Sequence, residues 1–280
     1  MEGLEPRDRL ILSGLEANYL IIHKQRQKEV NMSLTKLYVT IKDCSINRLF
    51  KNKKFKILFG PAKGLIWIND HRPYLMYNLG LWEPYKQFAM KKYVSKGMVA
   101  YDVGAFHGYY TMVLSRLVGK EGFVYSFEPA RENFEFLKNV INFNRLSNVE
   151  LNQKAVGGKD GEIYCTFNKS NPMAECIFEQ SGEYKVEITI LNSFALKDLN
   201  KKPDIVKMDI EGFEFDALKA MDRVIDLYHP MFFIDVHNAK NHSRCIAFLK
   251  EHGYTVKVLH KKRFENGAFL SDVLAFHEQP

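Results

Sequence analysis

Cysteine is scarce in this 280-residue chain: Cys44, Cys165, Cys176 and Cys245 are the only four, and no two form a C-x-x-C pair. That scarcity argues against a zinc frame or a disulfide-stapled scaffold, and all four are expected to be reduced thiols. Long apolar runs are missing too. Leu10–Ile22 is interrupted by Ser13, Glu16 and Asn18, which makes it too short and too polar to span a bilayer. The opening Met-Glu-Gly-Leu-Glu-Pro lacks the basic region of a signal peptide, so a soluble, cytoplasmic protein is expected. There is no internal repeat and no low-complexity tract. The dinucleotide fingerprint G-x-G-x-x-G is also absent.

A hydrophobic content of 46% over this length is enough for one sizeable core and an appendage. The net charge is +7, concentrated at Lys51–Lys56, Lys91-Lys92 and Lys261–Arg263. Such clusters read first as a solvated basic surface. Nucleic acid, a sugar phosphate or an anionic membrane are the less favoured partners.

Taken in order, Arg7–Glu29 places Ile11, Leu15, Tyr19 and Ile22 on one helical face, suited to docking on the domain or on a second subunit. Lys56–Phe59, Gly64–Ile68 and Tyr74–Tyr77 read as short strands between turn signals. Residues 1–79 are therefore expected to form a small N-terminal cap, with Trp67, His71, Tyr74 and Tyr77 as acceptor-site candidates. Residues 80–280 alternate strands and helices. Strands are expected at 98–103, 122–127, 148–153, 204–209 and 231–236, and helices at 83–94, 109–118, 130–143, 215–221 and 244–251. Extra strands at 162–167 and 185–191 flank a polar loop, 168–182. A closing antiparallel hairpin pairs 255–259 with 271–276. That alternation means an α/β fold with a mostly parallel sheet covered on both faces.

The chemistry centres on Val99–Thr111, VAYDVGAFHGYYT, an apolar strand, a small-residue turn and a helix. This unit presents backbone N–H groups at a helix N-terminus. Gly104 and Gly108 have no Cβ to hold a ligand away from the backbone. Glu128 ends the next apolar run, 26 positions on (102 to 128), where an acid is placed to accept ribose hydroxyls. A nucleoside-containing ligand follows. An aspartate, the glycines of D-x-G-A-x-x-G and then an acid form the pattern of S-adenosylmethionine (SAM) methyltransferases.

From about Lys63 to Leu274 the chain resembles the FkbM family of SAM-dependent methyltransferases. Four stretches carry the resemblance: Asp102-Val103-Gly104-Ala105 with Gly108-Tyr109-Tyr110-Thr111; Phe127-Glu128-Pro129 with Asn133 and Leu137; Ala155-Val156-Gly157; and Lys207-Met208-Asp209-Ile210-Glu211-Gly212 with Glu214. It implies a Rossmann-like class I methyltransferase fold, with a mostly parallel seven-stranded sheet and a C-terminal antiparallel hairpin. It also implies SAM as cofactor and O-methylation of hydroxyls on sugars or polyketides. Asp102, Gly104, Ala105, Phe106, Gly108, Glu128, Pro129, Ala155 and Asp209 are then the expected cofactor contacts. Phe106 stands where the family usually has Asn, and Asn192 where it often has Asp.

Asp102, Glu128, Asp209, Glu211 and His237 all fall at expected strand C-termini, the rim where open α/β sheets bind ligands. Glu128 is assigned to the ribose. Asp102 is assigned to the methionine ammonium, or else to clamping the loop. Methyl transfer to a hydroxyl needs near-attack geometry and removal of a proton. Asp209 or His237 is the expected general base, with Glu211 and Lys207 positioning the acceptor; a salt bridge from Lys207 to Glu211 or Glu214 is the structural alternative. Asp209, Glu211 and His237 could also meet a divalent ion, but such a set suits Mg²⁺ or Mn²⁺ loosely, and no metal is assigned. The expected acceptor is a hydroxyl on a glycan, a lipid-linked sugar or another small molecule. An RNA methyltransferase lacks support from an Asn/Asp-Pro-Pro-aromatic motif or a basic aromatic stripe. A SAM-binding scaffold without turnover is the remaining alternative.

Overall fold

The computed structural model describes residues 53–69, 75–167, 176–179, 181–263 and 269–277. The chain divides into two compact units, one of residues 1–53 and 69–75 and one of 54–68 and 76–280. The expected helix Arg7–Glu29, His71, Tyr74 and most of the 168–182 loop lie outside the described residues. Residues 54–68 and 76–79, placed with the cap by the sequence reading, belong to the second unit.

The described elements begin with β1 (Lys54–Lys56), β2 (Ile66–Ile68), α1 (Leu75–Leu79) and α2 (Pro84–Tyr93). The core alternation follows: β3 (Val99–Val103), α3 (Tyr109–Val118), β4 (Phe123–Phe127), α4 (Arg131–Phe143) and β5 (Val149–Asn152). Next come β6 (Ala155–Val156), β7 (Gly161–Phe167), β8 (Cys176–Glu179), β9 (Tyr184–Thr189) and α5 (Leu191–Leu196). The chain then returns through β10 (Ile205–Met208), α6 (Glu214–Lys219), α7 (Asp222–Tyr228), β11 (Met231–Val236) and α8 (Ala239–Glu251). It closes with β12 (Tyr254–Arg263) and β13 (Phe269–His277).

Seven strands form one sheet in the order β12-β13-β11-β10-β3-β4-β5. The five strands from β11 to β5 run parallel, and β13 lies antiparallel to both β11 and β12. The order reverses between β3 and β10, so the loops leaving these two strands face each other across the crevice where ligands enter such sheets. The expected extra strands form a second sheet, β6-β9-β7-β8, and β1 pairs with β2.

Strand alternation splits the large sheet into two unlike faces. Tyr101, Val103, Phe127, Val206, Met208, Phe232 and Ile234 are buried in one apolar cluster with α5 to α8. The opposite face carries Ser126, Asp102, Lys207, Asp235 and Asp272, which are also buried but polar. Partners from α2 and α3 meet several of them: Thr111 bonds Asp102 and Ser126, and Lys86 contacts Asp235 and Asp272.

Some expectations need correction. Tyr74–Tyr77 reads as a strand, but residues 75–79 are helical, because so short an aromatic alternation cannot separate a period of 2 from one of 3.6. Trp67 and Tyr77 are buried rather than acceptor-lining. Their rings pack at 4.9 Å, and each meets Tyr109 of α3, at 5.9 and 4.8 Å. Helix α7 was not anticipated; Asn192 holds its start, donating to Asp222 Oδ1 at 2.8 Å and accepting from Val224 N at 3.0 Å. Cys165 is disulfide-bonded, contrary to the expectation of four reduced thiols, whereas Cys245 is a buried free thiol.

Candidate active site

The turn leaving β3 touches the end of β10 so closely that only glycine fits. Gly104 has φ +75, and a Cβ there would lie 1.8 Å from the Asp209 carbonyl oxygen. The amides of Gly104 and Ala105 donate to the Phe127 carbonyl at 3.0 and 2.9 Å, and Asp209 N donates to Val103 O at 2.9 Å. Gly108, at φ +88, is the N-cap of α3 with no side-chain cap bond, and a Cβ on it would meet Leu137 at 2.5 Å. The ten-residue α3 thus offers its positive end to the crevice.

Between the two glycines, Phe106 takes a left-handed φ of +50, and its ring stacks on His107 with centroids 3.8 Å apart. His107 is buried against Phe136. The Phe106 amide donates to Glu128 Oε2 at 2.8 Å. The other oxygen, Glu128 Oε1, accepts from Ala130 N at 3.0 Å and Asn133 Nδ2 at 3.3 Å. Glu128 is only 5% exposed, and that burial, partly offset by these donors and by Lys207, pushes its carboxyl up to about 7. Its own amide donates to Asn152 O at the end of β5, and the Asn152 Nδ2 is a buried donor with no hydrogen-bond partner. Pro129 follows Glu128 at the rim, and Ala155 opens β6 just beyond β5.

A buried carboxylate with no ion-pair partner among the described residues, beside an unpartnered amide donor, fits a nucleoside. Ribose hydroxyls can donate to the carboxylate, and a heterocycle can accept from the amide. The helix N-terminus suits the carboxylate of a methionine moiety. Residues from Gly104 to Gly108, Glu128 and Asn152 are therefore the groups that could hold SAM.

Asp102 is fully buried under the turn. Its Oδ2 accepts from Thr111 Oγ1 at 2.6 Å, and its Oδ1 lies 3.3 Å from Lys207 Nζ. Lys207, its cross-strand neighbour on β10, also donates to the Gly104 carbonyl at 2.8 Å and stands 3.8 Å from Asp209 Oδ2. The pair clamps the loop from below. The alternative bridge from Lys207 to Glu211 or Glu214 is not the one formed.

At the end of β10 the chain turns sharply through Glu211 and Gly212, with φ of +52 and +104. Asp209 and Glu211 thereby reach the same imidazole: His237 Nε2 is 3.4 Å from Asp209 Oδ1 and 3.6 Å from Glu211 Oε1. His237 Nδ1 faces Glu214 Oε1 at 3.2 Å. Glu214 is fully buried and also accepts from Gly212 N at 2.7 Å and Asn241 Nδ2 at 3.4 Å. Burial disfavours the charged imidazole, but Glu214, Asp209 and Glu211 outweigh it and push His237 to about 9. Burial likewise raises the Asp209 carboxyl, yet the charges of Lys207, His237 and Lys86 bring it below the usual range. At neutral pH the site therefore holds a cationic His237 beside an ionised Asp209.

Among the described residues, two sets of side chains stand close enough to share a cation, their ligand atoms within 4.8 Å. In Glu83, Asp235 and Asp272 that cation is the Lys86 ammonium. In Asp209, Glu211 and His237 the imidazolium takes the place. The sequence reading named Asp209, Glu211 and His237 but missed the support behind them. Glu214 entered only as a motif position and as an alternative partner of Lys207, while Lys86 and Asp272 had no local signal.

Residues 102–256, more than half of the chain, match the family described as "Methyltransferase FkbM domain". "Methyltransferase 1" of Beauveria bassiana (strain ARSEF 2860) is 23% identical over 144 residues, which are 43% of this chain and 57% of that protein. The crystal structure of methyltransferase FkbM from Methylobacillus flagellatus KT superposes with a TM-score of 0.50 at 19% identity, covering 73% of this chain and 48% of that one. The chain thus spans about half the length of these two relatives, and the structural likeness is one of fold. The glycine turn, the buried Glu128 and strand-end Asp209 all fall inside the matched span, and the chain belongs to the FkbM family of SAM-dependent methyltransferases.

Proposed function

We propose that this protein methylates a hydroxyl group on a sugar, glycan or other small molecule, with Asp209 as the general base. The observation that carries this reading is the convergence of Asp209, Glu211 and His237 at the strand switch, directly beside the Gly104 turn. When bound, SAM supplies a methyl group on a sulfonium, open to in-line attack by an oxygen nucleophile. The glycine turn and Glu128 fix where that methyl group sits, so the rate gain comes chiefly from alignment.

Asp209 is ionised and its side chain is one-third exposed, so it can meet an incoming hydroxyl. As the C–O bond forms, the hydroxyl proton becomes strongly acidic, and a carboxylate held below its usual range still accepts it. His237 is pushed up to about 9 by its carboxylate neighbours, which favours Asp209 over it as the base at neutral pH. It orients Asp209 and donates to the acceptor's other oxygens. Glu211 is the exposed acid of the set and is placed to bond further hydroxyls. Three carboxylates around one imidazole make this rim unfavourable for a phosphate backbone, which speaks against an RNA acceptor despite the net charge of +7.

The test is release of S-adenosylhomocysteine from SAM against a panel of hydroxyl acceptors. Asp209→Asn is expected to lower turnover about 10²-fold or more while binding SAM within a few-fold of wild type. Full turnover by that variant removes Asp209 from the base role.

A further inference from the structure

Glu214, the first residue of α6, is a fully buried carboxylate to which methyl transfer as described above gives no task. Its bonds all come from the loops that frame the acceptor side of the crevice. Oε1 accepts from Gly212 N at 2.7 Å and faces His237 Nδ1 at 3.2 Å. Oε2 accepts from Asn241 Nδ2 at 3.4 Å, and the same amide of α8 donates to the Gly212 carbonyl. Among the described residues no lysine or arginine pairs with Glu214, and His237 is its one ion-pair partner.

These contacts set two things at once. The bond to Gly212 N holds the turn in which Glu211 and Gly212 take φ of +52 and +104, which brings Glu211 round beside Asp209. The Nδ1 contact fixes the rotation of the imidazole ring, leaving Nε2 3.4 Å from Asp209 Oδ1 and 3.6 Å from Glu211 Oε1. Asp209 is one-third exposed and Glu211 more than half, so water can stand in for the imidazole beside either. Water does not reach Glu214, and a buried carboxylate that loses a donor bears the full cost of its desolvation. Of the three acids, Glu214 depends most on the imidazole proton.

We propose that Glu214 is a positioning residue for methyl transfer: it keeps a proton on His237 Nδ1 and so turns Nε2 toward Asp209 and the acceptor. This inference rests on the reading above, with Asp209 as the base and His237 beside it. The imidazole is faced by Glu214 of α6 and by Asp209 and Glu211 beyond β10. Burial opposes its charge, but the bond to Glu214 and those acids push it up to about 9. When the ring loses its charge above that value, one proton remains. Which nitrogen keeps it is set by the partner of each, and donation to the buried Glu214 holds it on Nδ1.

The experiment is a long-range ¹H–¹⁵N NMR titration of the histidine rings in the full chain, with His237 assigned through His237→Asn. Above its titration the wild-type ring is expected as the Nδ1–H tautomer, which the ¹⁵N shifts distinguish from the Nε2–H form. Glu214→Gln keeps the shape and an oxygen acceptor for the Gly212 amide but removes the charge. His237 in that variant is expected to titrate about one pH unit lower, tenfold in acid constant. A Glu214 that served stability alone would leave both the tautomer and the titration unmoved. An Nε2–H ring in the wild type overturns the proposal, and so does a titration that Glu214→Gln does not shift. The wild-type tautomer decides the matter even if the variant does not fold. Full turnover by Asp209→Asn would end the base assignment while leaving the tautomer and titration results intact, so the two failures are distinguishable.

Discussion

If Glu128 holds the ribose as proposed, this one residue ties cofactor affinity to pH. Its carboxyl sits near 7 in the free protein because burial outweighs the three N–H donors around it. Ribose hydroxyls donate best to the ionised form, so binding draws the proton off. The sign follows: SAM affinity is expected to rise as pH increases through 7 and to level off above it, falling by up to tenfold per unit below. Without ligand the same raised value acts oppositely on folding. Its stabilising contribution is fully present below the unfolded-state value near 4.5 and is lost as pH rises through 7. Calorimetry of SAM between pH 6 and 8 checks the first statement. Glu128→Gln is expected to bind at least tenfold more weakly at pH 8, about 1.4 kcal/mol, and to lose the pH slope.

Among the elements, β3, its turn and α3 form the unit on which the site depends, and Gly104 is where it is most sensitive. A Cβ there collides with the Asp209 carbonyl, and φ +75 disfavours any L side chain. The conflict pushes the β3 turn away from the end of β10, separating the glycine turn from Asp209. Gly104→Ala is therefore expected to keep its far-UV circular dichroism while losing SAM affinity by tenfold or more in the same calorimetry. This unit was legible in sequence because it is local: an apolar run, small residues and a helical stripe follow one another without interruption. The expected helix at 109–118 and strand at 231–236 match α3 and β11. Where the signal was four residues long, at 74–77, a helix was read as a strand.

At the scale of the whole molecule, the sheet divides an apolar face from a buried polar one. Phe127, Met208, Phe232 and Ile234 pack on the first, and their burial supplies the general stability of the fold. The second carries Asp102, Lys207, Asp235 and Asp272, held in balance by α2 and α3. Removing the Lys86 ammonium leaves Asp235, Asp272 and Glu83 without their shared cation. Lys86→Met is expected to lower the unfolding free energy by about 3–5 kcal/mol, read as a shift in the urea midpoint. A shift near zero would mean that protonation of the carboxylates compensates fully.

The sequence alone determined the alternation of strands and helices, the glycine turn, the acid at 128 and the Asp209-x-Glu211 pair. Each is set by short-range stereochemistry or by spacing along one strand. Only the tertiary structure decided which charges meet. Lys207 meets Asp102 rather than Glu211 or Glu214, because strand register places those two side by side. Lys86 lies in a stretch expected only as a helix, 83–94, yet the packing of α2 over β11 and β13 buries its ammonium among three carboxylates. Coulomb interactions in a buried setting depend on distance through space, and separations of 149 positions, as from Lys86 to Asp235, leave no trace in local pattern.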